Sequence, residues 1–246
     1  MRGRLVGIEI VPGFSEVSDQ PPPPPRAERR RSGRLLSWFG GLLIVIGLVC
    51  LGYVAWELYG TSYVAKKEQA SVVAEVEKAW DKRDGTQVKS KGAVVSALVR
   101  IPKFGSDYAV PLLEGTTDAV LTGGYGHFLD SADPGKKGNF AIAAHRITHG
   151  EPLRRMPELQ PGDEIIIETP TMVYTYVLDT GGDDLTVDFT AGWVVGDVPD
   201  NPKKGGIEPA QVEGQRLITL ATCAELFHTD NRLIAFGHLV DKGPRE

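Results

Sequence analysis

Seven short runs of β-type residues, each stopped by Gly, Pro, Asp or Asn, fill the chain from Ala93 onward and limit what it can fold into. They are 93–101 (AVVSALVRI), 119–121 (AVL), 139–145 (NFAIAAH), 163–169 (DEIIIET), 172–180 (MVYTYVLDT), 216–223 (RLITLATC) and 232–240 (RLIAFGHLV), with weaker segments around 186–195. Many short strands with turn signals between them point to a closed barrel or a sandwich, the arrangements that leave few strand edges unpaired. Little helix is expected in this region beyond a turn near 149–157. No Gly-rich phosphate loop opens a helix, and no internal repeat is visible.

The chain before Ala93 is built differently. From Leu35 to Trp56 there are 22 consecutive residues without a charge. A helix crosses a bilayer core in roughly 20 residues, so this stretch is long enough to span one. Trp38, Tyr53 and Trp56 sit near its ends, where aromatic rings favour the membrane interface. Arg26, Arg29, Arg30, Arg31 and Arg34 precede it and only Glu57 follows closely, so the positive-inside rule keeps the N-terminus in the cytoplasm and puts everything after residue 60 outside. A cleaved signal peptide is the competing reading, but the apolar stretch is too long and lacks a small-x-small cleavage site. Residues 1–34, with five prolines at 21–25, read as a disordered cytoplasmic tail, and 35–58 as the transmembrane anchor. Residues 59–92 read as an extracellular stalk helix over 63–82, with Val64, Val72, Val73, Val76 and Trp80 at helical spacing, and a polar linker over 83–92. Residues 93–246 form the main β-domain.

Charge separates the same segments. Residues 1–34 hold seven arginines against four acids, whereas 93–246 hold 13 basic against 22 acidic residues, a net −9. An acidic main domain does not track a phosphate backbone, which argues against a nucleic-acid partner. The two cysteines, Cys50 in the apolar stretch and Cys223 at a strand end, make no disulfide framework.

Three residues at strand tips can carry chemistry. Cys223 ends RLITLATC, and alternation puts it on one face with Ala221 and Thr219, whose small side chains leave the sulfur approachable. On spacing alone it is equally a small buried thiol. His145 ends an apolar run before a Gly-containing loop; imidazole can exchange protons near neutral pH and so support a thiolate nucleophile, or it can simply cap the strand. Arg232 opens the run nine residues after Cys223 and keeps its charge, fit to hold an oxyanion or a peptide backbone, or to lie solvated at a strand end. His145 and His149 stand four apart, a spacing that binds metal on a helix, but Gly150 and Pro152 follow at once and no acidic ligand sits at a recognised spacing, so no metal is expected. His127, His228 and His238 fit no partner pattern and read as structural or exposed.

TLATC at 219–223 resembles the TLxTC signature of sortases, the membrane-anchored cysteine transpeptidases of Gram-positive bacteria. GNFAIAAHR (138–146) resembles their histidine segment and NRLIAFGHL (231–239) their arginine strand, in the order His, Cys, Arg with gaps of 78 and nine residues. The likeness covers 93–246. The stretch 123–165 is most similar to the class E sortases of actinobacteria, with GYGHF at 124–128 where that class reads GPGHY and TCAE at 222–225 where it reads TCHP.

The resemblance implies a mainly β fold, an eight-stranded sortase-type barrel preceded by a single N-terminal transmembrane helix. It implies His145, Cys223 and Arg232 as catalytic residues, with Ala221, Thr222, Tyr125 and Phe128 lining a substrate groove. In that scheme Cys223 attacks the Thr–Gly bond of an LPxTG- or LAxTG-like sorting signal at the C-terminus of a surface protein. A cell-wall precursor or pilin amine then resolves the thioester, and no cofactor takes part. A hydrolytic cysteine peptidase on the same scaffold and a non-enzymatic membrane-anchored β-domain are the other readings.

Overall fold

The computed structural model of the chain describes residues 32–83, 85–212, 214–223 and 230–245. The tail expected over residues 1–34 lies outside the described residues up to 31, as do His228 and the AE of TCAE. Helix α1 (Ser32–Ala55) contains the charge-free stretch. Its residues Leu36–Ala55, with a mean hydropathy of 2.2, make one helix long and apolar enough to cross a membrane. It is apolar on all sides and exposed on all sides, which suits a lipid environment and not water.

A π-helical turn (Trp56–Gly60) leads into α2 (Thr61–Lys82), which Arg83 terminates in a left-handed conformation. The expected stalk needs correcting here. One side of α2 is packed onto the β-domain: Val76, Ala79 and Trp80 are buried in a cluster with Val88, Val95, Leu98, Leu113 and Val120. Val72, Val73, Val76 and Trp80 need an apolar partner, and strand β2 (Ala93–Arg100) supplies it together with Val88, Leu113 and Val120, whereas Val64 of the expected stripe stays exposed. The register of β2 slips between Val95 and Ala97, so Ser96 is an extra residue. That bulge turns Val95 and Leu98 outward to α2 while Ala97 and Val99 face the barrel interior. Ion pairs Lys91–Glu68 (2.6 Å), Arg100–Glu77 (2.7 Å) and Arg245–Asp81 (2.9 Å) border the contact. The supposed linker also takes part, since β1 (Lys89–Ser90) pairs with β2 and Val88 is buried.

The remaining strands are β3 (Val110–Glu114), β4 (Tyr125–His127), β5 (Gly138–Ala143), β6 (Glu164–Glu168), β7 (Met172–Leu178), β8 (Leu185–Asp188), β9 (Arg216–Cys223) and β10 (Asn231–Pro244). Eight of them run in the order β2-β3-β4-β5-β9-β10-β7-β6, and β6 pairs back onto β2, closing an eight-stranded barrel. β8 lies against β10 outside that ring. Alternate residues of every barrel strand fill the interior, led by Tyr125, Phe140, Ile142, Tyr176, Ile218 and Leu220.

Two local readings change. The run 119–121 is not a strand but part of a helical turn, α3 (Asp118–Leu121), capped by the hydroxyl of Thr117, which accepts from the Val120 amide. The neighbouring strands are β3, whose Pro111 disguises it, and β4, only three residues long. Gly124 is required between α3 and β4: its φ is +149°, and a Cβ there would collide with the Pro111 carbonyl oxygen.

Candidate active site

Strand register builds the site. β5 and β9 are neighbours in parallel, with Ala143 opposite Ala221. Carried two residues further, the same register sets His145 level with Cys223. The continuation is held by two bonds: the Ala144 amide donates to the Ala221 carbonyl (3.2 Å), and the Thr222 hydroxyl donates to the Ala144 carbonyl (2.7 Å). On the other side β10 runs antiparallel to β9 and pairs Arg232 directly with Cys223. Adjacent strands lie about 4.8 Å apart, so three neighbouring strand ends bring the histidine, cysteine and arginine positions together at one end of the barrel. The side chain of Cys223 lies outside the described residues.

A groove of about 590 Å³ opens beside this point. His145, Arg232, Ala221, Thr222 and Phe128 line it, five of the residues expected there. Tyr125 does not. It is fully buried in the barrel interior, where its hydroxyl pairs with that of Tyr108 at 2.9 Å. Burial drives the phenol pKa of Tyr125 well above the ordinary value. The expectation that Tyr125 lines the groove is therefore corrected: β4 alternates, and Tyr125 takes the inward position. Thr222 lines the groove but is only 3% exposed, and its hydroxyl is engaged with Ala144, so it ties the histidine strand to the cysteine strand.

The far wall, and all of the floor except Ala221, were not evident from sequence. Ala221, Ile234 and Phe236 form a third apolar cluster on the outer face of β9 and β10, roofed by Val194 of the 3-10 turn Gly192–Val195. Thr219, on the same face, donates to Asn139 Oδ1 (2.8 Å), and the Asn139 amide in turn donates to the carbonyls of Val194 (3.2 Å) and Gly196 (3.0 Å), pinning this wall. β8 completes it with Val187 and Asp188. The sequence trace of the far wall was the weaker strand-type segments around 186–195.

The charged groups at the groove have defined surroundings. Asp188 receives the hydroxyl (2.5 Å) and amide (2.9 Å) of Thr190, and these bonds, with a smaller contribution from the charge of Arg232, hold its carboxyl below the usual range. Arg232 donates from Nη1 to the Asn231 carbonyl at 2.9 Å. The ring of His145 lies 5.0 Å from that of His149, inclined by 36°. These two histidines do not sit on a helix: His149 has a left-handed φ of +53°. Among the described residues no group of three or more His, Cys, Asp or Glu side chains is arranged to hold a metal ion. His127 and His238 each pair with a carboxylate away from the groove, Glu114 (3.0 Å) and Asp179 (2.8 Å).

The sortase domain profile matches residues 99–240. Sortase SrtE1 of Streptomyces coelicolor is 31% identical over 213 residues, which are 84% of this chain and 57% of that protein; the chain thus spans little more than half of that relative. A solved structure of sortase E from Streptomyces avermitilis is 36% identical and superposes with a TM-score of 0.53, covering 64% of this chain and 93% of that one. The structure of sortase E1 from Streptomyces coelicolor, with a tripeptide in its active site, is 34% identical with a TM-score of 0.52, covering 64% of this chain and 94% of that one.

Proposed function

The chain belongs to the sortase family, and on that premise we propose that it is a membrane-anchored cysteine transpeptidase that cleaves a C-terminal sorting signal between Thr and Gly and transfers the new acyl end to an amine at the cell wall. The register that brings His145, Cys223 and Arg232 to three adjacent strand ends beside an open groove carries this reading.

In the reaction, the Cys223 thiolate adds to the threonine carbonyl carbon and the carbonyl oxygen takes up the negative charge. Arg232, paired with Cys223 across the strand, donates to that oxygen or to the peptide backbone beside it. Collapse breaks the Thr–Gly bond, and His145 gives its proton to the departing glycine amine. The incoming amine attacks the thioester and loses a proton to the same imidazole, and the thiolate leaves. The apolar floor of Ala221 and Ile234 suits an extended peptide lying across the strand ends. We take the signal to be of the LAxTG type, as the resemblance of 123–165 to class E sortases implies, and the acceptor to be a wall precursor or pilin amine.

The test is a product assay with the full chain in detergent or nanodiscs, a sorting-signal peptide and an amine. A ligated product that vanishes in Cys223→Ala supports the proposal. Cleavage to the free acid with no ligation would instead mean a peptidase, and wild-type turnover in Cys223→Ala would exclude Cys223 as nucleophile. The basic flank of α1 supports a cytoplasmic N-terminus, with residues 61–246 outside. Protease added to wall-stripped cells digests the domain if so, and leaves it intact if the orientation is reversed.

A further inference from the structure

The loop that follows His145 is held from outside the barrel, by the helix that leads from the membrane segment. Gln69 on α2 is 5% exposed, and its Nε2 donates to the His149 carbonyl at 3.1 Å. Gly150 lies directly against the same amide: a Cβ there would sit 2.6 Å from Gln69 Oε1 and 2.8 Å from Nε2. One turn earlier on α2, Lys66 reaches the Glu151 carboxylate at 3.4 Å, which Arg154 also binds at 2.9 Å.

The clamped backbone is one the chain does not adopt willingly. His149, Gly150 and Glu151 have φ of +53°, +89° and +53°, three successive residues in the left-handed region, two of them with side chains. Such a conformation persists only where its surroundings impose it. The loop also closes on His145 itself: the Leu153 amide donates to the His145 carbonyl (3.1 Å), the Glu151 amide donates to the Thr148 carbonyl (3.0 Å), and the His149 ring packs 5.0 Å from the His145 ring.

We infer that Gln69 is a positioning residue for the proposed catalytic histidine: by holding the left-handed turn at His149–Glu151 it sets the ring of His149, and through it the ring of His145, over the groove. This rests on the role proposed for His145 and adds to it a part for α2, the helix next to the membrane segment. Lys66 strengthens the same clamp from an exposed position.

The experiment uses the full chain in nanodiscs, with Gln69→Ala, with Gln69→Met (similar in length but without a donor), and with Lys67→Ala as an exposed neighbouring control. Both Gln69 variants should exchange the Glu151 and Leu153 amides roughly tenfold faster and lose about tenfold in kcat, the scale of a small misplacement of a reacting group, while KM stays within about twofold because α2 supplies no groove residue. The control should match wild type in each. Unchanged exchange, or faster exchange with wild-type kcat, overturns the inference, and so does a loss confined to KM. If the wild-type protein ligates no peptide, the function proposed above has failed instead. The inference is then decided by the His145 Hε1 resonance in histidine-labelled protein: a shift in both Gln69 variants supports the clamp, and an identical resonance overturns it.

Discussion

Arg232 separates two ways in which a cation can serve a cysteine nucleophile. If it acted only by charge, lysine would replace it. Its place opposite Cys223 in the β9–β10 ladder suits a planar fork aimed at a carbonyl oxygen, which an ammonium on a flexible stem does not reproduce. Arg232→Lys is therefore expected to keep most of the alkylation rate of Cys223 by a small reagent yet lose at least roughly a hundredfold in kcat/KM, the scale of one lost oxyanion donor. Wild-type turnover in the lysine variant would refute that role. His127 offers a pH test away from the groove. Burial works against its charged form, but the hydrogen bond and charge of Glu114 outweigh it, so its pKa is raised; the bond from His127 likewise holds Glu114 below the usual carboxylate range against the opposing effect of burial. The stabilisation from His127 is complete below its unfolded pKa of about 6.5 and fades as pH rises through the elevated folded value; that from Glu114 holds above about 4.3 and fades as pH falls through its depressed one. Urea unfolding of wild type and His127→Gln should differ most between those limits and converge at higher pH, where the imidazole is neutral in both states. A difference that does not vary with pH would mean that the pair contributes by packing alone.

Helix α2 shows how far a pattern can be read before its partner is known. Its apolar stripe was visible as spacing, but a stripe of four valines and a tryptophan does not say what it faces, nor that Val64 at its start is left exposed. The partner is a patch on the outside of the barrel made by Leu113 of β3, Val120 of α3 and β2, to which β2 contributes through the bulge at Ser96 that turns Val95 and Leu98 outward, a one-residue insertion without a local signature. Trp80 is 6% exposed in that cluster, with the Arg245 guanidinium 5.5 Å from its ring centroid. Truncating a buried tryptophan costs about 3–5 kcal/mol, so Trp80→Ala should lower unfolding stability by that order, whereas Val64→Ala, half-exposed on the same helix, should change little. Equal, negligible effects would mean that α2 is a free stalk after all. The helical turn at 118–121 was misread for a related reason: three apolar residues fit either structure, and the Thr117 cap decided between them.

The barrel as a unit explains which parts of the site were legible. Alternation within β9 put Ala221 and Cys223 on one face, and the ends of the apolar runs put His145 and Arg232 at strand tips. What no local pattern carries is that β5 and β9, nearly 80 residues apart, lie side by side in parallel, since such pairing depends on the path of the whole chain. The groove wall from β8 to Val195 was faint for the same reason, being stabilised by Asn139 and Thr219 on distant strands and not by its own sequence. The likeness of the three motifs to a known family stood in for that missing long-range information. With the strand ends brought together, the proposed chemistry turns on one covalent bond. The full chain, mixed with a sorting-signal peptide and no acceptor amine, quenched in acid and weighed intact, should gain the mass of the peptide up to its threonine. Proteolytic mapping should place that mass on Cys223, and addition of an amine before the quench should remove it with release of the ligated product. An unmodified protein that still turns the peptide over, or an acyl group on any other residue, would contradict the mechanism.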